Sequence, residues 1–188
     1  MSSTSLRVQA YTRYPLSSLL IYNGATALHY LLGGFGIMLG YNFSRAAYLL
    51  GFLYIAFAFV QMYVLMPLMV CPNCVYYKWD DSRCISGLNL VSRRVAREGD
   101  VKDFAQRGEG LLCHNNLYMA AKILPIVVMI PALILNFSLL LLVIFLAVVG
   151  LLVFRMFVIF PKIACVHCRA KNICPNAEAM GLSDRSGA

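Results

Sequence analysis

The sequence has little charge for its length. Only 13% of its 188 residues are Asp, Glu, Lys or Arg, and only 8 of them are acidic. A soluble domain carries about 25% charged residues on average, whereas 61% of this chain is hydrophobic. This shortage of charge excludes an ordinary soluble domain and predicts an integral membrane protein.

The long hydrophobic stretches lack both acidic residues and cysteine. All of the Asp and Glu residues lie outside those stretches, which argues against a transporter that moves protons on a buried carboxylate. The chain has 7 cysteines, and each of them lies in a polar segment. A cysteine used only as a small hydrophobic residue would also occur within the spans, so this placement indicates that the thiols have a chemical role.

The hydrophobic stretches predict four membrane-spanning helices. A helix needs about 20 apolar residues to cross a hydrocarbon core of about 30 Å, and the stretches 16–40 and 46–70 satisfy this requirement. The apolar stretch 117–160 is too long for one crossing, and Asn136-Phe137-Ser138 near its middle is a natural reversal point. We therefore predict an all-α integral membrane protein with four transmembrane helices in two hairpins, 16–70 and 117–160.

The remaining segments, 1–15, 71–116 and 161–188, fall on one side of the membrane because the number of spans is even. That side holds almost every positive residue, namely Arg7, Arg13, Lys78, Arg83, Arg93, Arg94, Arg97, Lys102, Arg107, Lys162, Arg169, Lys171 and Arg185. The opposite side holds Arg45. The positive-inside rule places the first side, and with it both termini, in the cytoplasm. We expect Lys122 and Arg155 to reach this same membrane face by snorkelling.

The cysteines form a constellation on the predicted cytosolic side. Four are paired as C-x-x-C, at Cys71/Cys74 and at Cys165/Cys168, and each pair directly follows a hydrophobic stretch. The others are Cys84, Cys113 and Cys174. Because cytosolic thiols are kept reduced, this clustering indicates metal binding or catalysis rather than a disulfide framework. We expect the loop and the C-terminal segment to form a Cys-rich cytosolic cap.

A C-x-x-C turn brings two thiolates to one metal ion, and two such turns complete a tetrahedral site. With His114 the chain offers eight candidate ligands, enough for two four-coordinate sites. One division places Cys71, Cys74 and Cys84 at one site and Cys165, Cys168 and Cys174 at the other, with Cys113 and His114 completing the sets. The sequence leaves the division open.

Structural zinc is the favoured metal, and an iron–sulfur cluster is the alternative. Both are held by four ligands, which are thiolates or nitrogen donors for zinc and usually thiolates for a cluster. Cys174-Pro175 resembles the Cys-Pro ending of ferredoxin ligand runs, although the C-x2-C-x5-C spacing here differs from theirs.

The pairing of four helices with C-x-x-C beside a helix end resembles two families, the quinone-linked disulfide-generating enzymes and the vitamin K epoxide reductases. The resemblance implies a membrane thiol–disulfide oxidoreductase that uses the C-x-x-C pairs. In those families the redox cysteines face an oxidising compartment, whereas the charge pattern of this chain places them in the cytoplasm. The oxidoreductase is therefore the third hypothesis.

We find no nucleophile–base pair, phosphate loop or carboxylate dyad, so we expect no self-sufficient enzyme. The favoured function is a membrane anchor or assembly component for a protein partner on the cytosolic face. The alternative is an electron-transfer subunit that links a cytosolic donor to membrane quinone through an iron–sulfur cluster. No nucleic-acid-binding fold accompanies the basic residues.

Three smaller predictions concern the helices. The segment 88–96 reads as an amphipathic helix on the lipid headgroups, with Arg93 on its polar face. We expect Asn23 and Gln61 to hydrogen-bond across the first hairpin. The Gly36/Gly40 spacing allows close helix packing and leaves a homo-oligomer open.

Overall fold

The computed structural model describes residues 9–42, 45–108 and 113–182, and every regular element in these ranges is helical. The long elements are α1 (Leu16–Gly40), α2 (Arg45–Val60), the π-helical segment π1 (Gln61–Val70), α4 (His114–Leu135), α5 (Leu139–Phe154) and the π-helical segment π2 (Arg155–Ala164). The shorter elements are α3 (Leu88–Val95), α6 (Pro175–Ala179) and 3₁₀ turns at Cys71–Asn73, Val101–Gly108, Cys165–His167 and Lys171–Ile173.

The long helices pack as a bundle of two hairpins, α1 with α2–π1 and α4 with α5–π2. Helix α1 contacts α2, α4 and α5 and so lies at the centre of the packing. The first predicted helix is confirmed over Leu16–Gly40, and the predicted reversal falls between α4 and α5. The hydrophobic stretches therefore predicted the hairpins, whereas the change from α- to π-helical hydrogen bonding in the second and fourth helices was not foreseen.

Among the described residues, three helical stretches are long and apolar enough to cross a membrane, namely Tyr48–Asn73, His114–Leu135 and Leu139–His167. Large apolar side chains cover the outside of the bundle; Leu20, Ile134 and Phe157 are each 70% exposed or more. The interior instead holds polar side chains such as Thr26 and Gln61. An apolar exterior around a partly polar interior is the arrangement of a membrane protein rather than of a soluble bundle.

Glycines in α1 allow the neighbouring helices to approach closely. A Cβ atom added at Gly36 would lie 2.3 Å from the Met129 sulfur, and one at Gly40 would lie 2.6 Å from the Ala132 Cβ. The surface of α1 at Gly36 and Gly40 is therefore covered by other helices of the same chain. The predicted close packing is confirmed, and this pair of glycines does not form a free face for a second copy.

The segments that precede α1, follow π1 and follow π2 meet at one end of the bundle. The Tyr11 amide donates to the His167 carbonyl at 2.9 Å, and the Arg83 amide donates to the Thr12 carbonyl at 3.1 Å. Tyr14 is fully buried, and its hydroxyl donates to the Ala164 carbonyl. We call this end the cysteine end. Of the predicted cytosolic segments, residues 1–8, 109–112 and 183–188, and with them Arg7 and Arg185, lie outside the described residues.

Candidate functional site

The two C-x-x-C turns have nearly the same backbone. Cys71 has φ −62° and ψ −34°, and Cys165 has φ −68° and ψ −35°. Each following 3₁₀ turn closes with an amide-to-carbonyl hydrogen bond of 3.1 Å, from Cys74 to Cys71 and from Cys168 to Cys165. The second cysteine of each pair is extended, with ψ 145° for Cys74 and 128° for Cys168. The turns are thus two copies of one local structure.

The similarity between the two turns also includes the residues that precede them in the sequence. Pro67 and Pro161 each stand four residues before the first cysteine, so the motif P-x-x-x-C-x-x-C occurs twice. In both copies a ten-residue π-helical segment contains the proline and leads directly into the cysteine turn. Proline lacks the N–H that an α-helix requires, and π-type segments inside helices often mark functional sites. This internal repeat is a signal in the sequence that links the two turns to each other.

The turns face one cavity of about 140 Å³ at the cysteine end. Six of the seven cysteines line it, together with His114. These residues are Cys71, Cys74, Cys84, Cys165, Cys168, Cys174 and His114. The cavity therefore gathers seven of the eight predicted ligand residues from four parts of the chain, and all seven cysteines of the chain are present as thiols.

Cys113 is the predicted ligand that does not line the cavity. It precedes α4, and its sulfur accepts a hydrogen bond from the Asn116 amide at 3.4 Å, which makes it the N-cap of that helix. His167, between the cysteines of the second turn, is also outside the lining. Its ring stacks on Tyr11 with centroids 4.3 Å apart, and its Nδ1 lies 3.0 Å from the Gln9 carbonyl oxygen.

In the part of the chain that the structure describes, no three His, Cys, Asp or Glu side chains converge closely enough to hold one ion. The seven donors surround the cavity rather than meet at a point. Both the number of sites and the division of ligands between them stay predictions. The donor set of thiols and one imidazole nevertheless has the chemistry that zinc and iron–sulfur clusters use.

A small apolar cluster closes the cysteine end between the two turns. Its buried members are Val70, Phe104 and Ala170, from the end of π1, the 3₁₀ turn Val101–Gly108 and the segment after Cys168. Cys74, Cys168 and Cys174 pack against this cluster. Phe104 was not singled out from the sequence, because a single aromatic residue in a polar loop carries no periodic signal.

Two side chains of α3 fix the loop that carries Cys84. Asn89 is 1% exposed, accepts from the Cys84 amide at 3.1 Å, and donates to the carbonyls of Tyr76 and Ser82. Arg93 donates to the backbone carbonyls of Tyr76, Tyr77, Trp79 and Asp80. The predicted helix is confirmed as Leu88–Val95. The predicted position of this helix on the lipid headgroups stays a prediction.

Two buried tyrosines join the N-terminal segment to the cysteine turns. Burial, reinforced by the nearby Cys168, raises the pKa of Tyr14 and also that of Tyr76. Both hydroxyls therefore stay protonated at neutral pH and act as donors, Tyr14 to the Ala164 carbonyl at 2.5 Å and Tyr76 to the Tyr11 carbonyl at 2.7 Å.

Next to the cavity, the bundle interior holds two basic side chains. Lys122 and Arg155 are 1% and 2% exposed, so the prediction that they snorkel to the membrane face is wrong. Arg155 donates to the Thr26 hydroxyl at 2.5 Å. Its guanidinium carbon lies 4.3 Å from the Tyr22 ring centroid.

Some of the other polar residues of the interior find partners within the bundle. His29 Nε2 lies 3.1 Å from the Lys122 carbonyl oxygen. Asn23 accepts from the Tyr63 hydroxyl at 3.3 Å instead of pairing with Gln61. The side-chain amide of Gln61 has no hydrogen-bond partner among the described residues. The predicted Asn23–Gln61 pair is therefore wrong.

Comparison with known proteins returned no matching family model, no similar curated protein and no solved structure with a matching fold. Any function must therefore be argued from the site itself.

Proposed function

We propose that this chain is a four-span membrane protein whose cysteine end lies in the cytosol and holds a zinc–thiolate centre. In this proposal the centre ties the two hairpins together and shapes a cytosolic surface that docks a protein partner. The observation that carries it is the cavity that gathers six cysteines and His114 from both hairpins.

The length and position of α1 support a fourth crossing beside the three apolar stretches. Its 25 residues span about 37 Å at 1.5 Å per residue, which exceeds a hydrocarbon core of about 30 Å. Tyr14 before α1 and Ala164 at the end of π2 are hydrogen-bonded. If α5–π2 crosses the membrane, α1 begins on the side where π2 ends. The polar residues that lower the apolar character of α1, such as Thr26 and His29, face the bundle interior.

The cytosolic orientation rests on charge. Described cations at the cysteine end include Arg13, Arg83, Lys162 and Arg169. The opposite end is represented by Arg45, at the start of α2. A membrane-impermeant maleimide applied to intact cells tests this arrangement. A cysteine introduced at exposed Asn42, in the turn after α1, should be labelled from outside, whereas one introduced at exposed Asp81 should react only after lysis.

Zinc suits the donor set because it binds thiolate and imidazole in tetrahedral sites. Cys71 and Cys74 follow π1, and Cys165 and Cys168 follow π2, so a site built from both pairs would join the two hairpins. Zinc–sulfur bonds of about 2.3 Å require these side chains to turn inward. Such a link would add stability at this end of the bundle, where the small apolar cluster alone contributes little hydrophobic stabilisation.

Metal analysis of the full chain, purified anaerobically in detergent, tests the centre. We expect stoichiometric zinc in the wild-type protein and loss of at least half of it in Cys71→Ser and Cys165→Ser. Cys113→Ser is the matched control and should retain its metal, because Cys113 caps α4 outside the cavity. Metal-free wild-type protein would refute the proposal.

An iron–sulfur cluster is the second candidate, favoured by the size of the cavity. A single zinc ion draws its four ligands onto itself and leaves the site closed, whereas a volume of about 140 Å³ ringed by six thiols has room for a body of several atoms. Iron and sulfide in place of zinc, with absorbance near roughly 400 nm that bleaches on reduction, would establish this candidate. It would also change the function to electron transfer between a cytosolic donor and membrane quinone.

A further inference from the structure

Lys122 and Arg155 are two buried basic side chains around one aromatic ring. The Lys122 Nζ lies 5.8 Å from the Tyr118 ring centroid, and the Arg155 guanidinium carbon lies 5.3 Å from the same centroid. The Lys122 nitrogen also lies 4.0 Å from the centroid of Tyr30. Such contacts offset only part of the cost of burying a cation.

The pair has no carboxylate partner in the bundle. The sequence contains no Asp or Glu in the ranges 16–70 and 114–164, which include all the long helices. Arginine stays protonated in proteins, so Arg155 cannot lose its charge on burial. An uncompensated charge in a low-dielectric interior is costly, and buried ions are normally paired.

Several donors around the pair are also unused. Lys122 Nζ, Arg155 Nε and Nη2, and the hydroxyls of Tyr30 and Tyr118 have no hydrogen-bond partner within the part of the chain that the structure describes. All of these atoms lie in residues that are at least nine-tenths buried. Unused buried donors beside an unpaired positive charge require an electron-rich acceptor.

The cavity gives access to this cluster. Tyr22, Tyr118 and Phe160 line the cavity, and the Arg155 guanidinium packs on all three of their rings. Arg155 begins π2, and Cys165 directly follows the end of the same segment. The aromatic rings thus border both the thiol-lined cavity and the Arg155 guanidinium.

We propose that Lys122, Arg155, Tyr30 and Tyr118 bind a small inorganic anion that enters from the cysteine-end cavity. The anion pairs with the Arg155 guanidinium and accepts hydrogen bonds from Lys122 Nζ and the tyrosine hydroxyls. This site goes beyond the metal centre and does not depend on it, because none of its four residues is a candidate metal ligand.

Thermal unfolding of the full chain in detergent tests the proposal. Protein exchanged into sodium gluconate, whose anion is much larger than chloride, is titrated with sodium chloride at constant ionic strength. We expect a saturable rise in Tm of roughly 3–6 °C. Arg155→Gln, which introduces the residue found at the corresponding position 61 of the first repeat, should weaken the chloride response at least tenfold.

Lys162→Gln is the matched control, since Lys162 is an exposed cation on the same helix. It should respond like the wild type. Lys122→Gln is the second variant and should also weaken the response, which keeps the test decisive if Arg155→Gln does not fold. The proposal is overturned if wild-type Tm does not depend on chloride, or if both interior variants respond to chloride like the wild type. It is also overturned if phosphatidylglycerol added to the detergent stabilises the protein and chloride does not. Zinc and iron content, measured on the same samples, separates loss of anion binding from loss of the metal centre.

Discussion

Gln61 and Arg155 occupy corresponding positions in the two halves of the chain. Each begins a π-helical segment, each stands six residues before the proline of P-x-x-x-C-x-x-C, and each side chain is buried. The first position carries a neutral amide and the second a permanent cation. The repeat is therefore symmetric in backbone and asymmetric in charge, so the positive charge next to the cavity comes from the second hairpin.

The first prediction concerns the contact between α1 and α2. A Cβ added at Gly51 would lie 2.8 Å from the backbone oxygen of Gly34 and 2.4 Å from Met38 Cγ. Because a backbone atom cannot rotate away, Gly51→Ala should force the helices apart and cost about 1–3 kcal/mol. Unfolding by SDS, followed by circular dichroism, measures this loss.

Gly150→Ala is the control for that substitution. Gly150 also lies in a long apolar helix, but a Cβ there meets nothing within 4 Å. It should change stability by less than about 1 kcal/mol, in the stabilising direction, because alanine favours the helix. Equal effects of the two substitutions would show that α1 and α2 do not approach each other this closely.

The second prediction concerns Asn89, which satisfies three backbone groups of the Cys84 loop. Asn89→Ala should leave the Cys84 amide and the Ser82 carbonyl without their side-chain partner, while Arg93 still donates to the Tyr76 carbonyl, and should cost about 2–4 kcal/mol. Maleimide should also label Cys84 several-fold faster in the variant, because the loop loses its anchor. Leu90→Ala, at the neighbouring exposed position, should change neither quantity. Unchanged labelling of Cys84 in Asn89→Ala would show that Asn89 does not hold the loop.

The long helices could be predicted from sequence because each of them needs a long apolar stretch, and such a stretch is recognised from its residue types alone. The direction in which a side chain points from a membrane helix is harder to predict from sequence. Lipid and protein interior are both apolar, so no amphipathic period distinguishes the two faces of the helix. This is why Lys122 and Arg155 were assigned to the membrane face. The interior placement becomes evident only from the contacts that Thr26 and the aromatic rings make with Arg155.

The cysteines that line the cavity could be singled out from the sequence, whereas the aromatic residues that line it could not; their role as metal ligands stays a prediction. Cysteine spacing singled out the two turns, and the cavity includes them with Cys84, Cys174 and His114. Cys113 resembled a ligand because it stands beside His114, yet its sulfur caps α4. A helix cap and a metal ligand both place a polar residue just before a helix, so sequence alone could not separate the two roles.

The third prediction concerns Tyr14. Burial raises its pKa above the usual value, so its contribution to stability is fully present below the unfolded-state pKa of about 10 and declines as pH rises further. Tyr14→Phe should lose about 1 kcal/mol at pH 7, since the Ala164 carbonyl loses its donor. The variant should also lose less additional stability between pH 9 and about pH 11 than the wild type does.

Unfolding midpoints across this pH range in detergent measure the difference, and Tyr48→Phe is the control. Tyr48 is 51% exposed on the outside of α2, so its substitution should leave the alkaline slope unchanged. Identical slopes for Tyr14→Phe and the wild type would mean that ionisation of Tyr14 does not oppose folding.

The fourth prediction uses Cys113 to separate capping from ligation. Serine is a strong N-cap residue, so Cys113→Ser should leave stability unchanged or raise it by up to about 1 kcal/mol, whereas Cys113→Ala should lower it by about 0.5–1 kcal/mol. Chemical unfolding in detergent measures both. If Cys113 is instead a ligand, both variants lose metal and stability together, since neither serine nor alanine replaces a thiolate at a zinc site. A metal-retaining serine variant beside a less stable alanine variant would assign Cys113 to the helix and leave the cavity with seven donors.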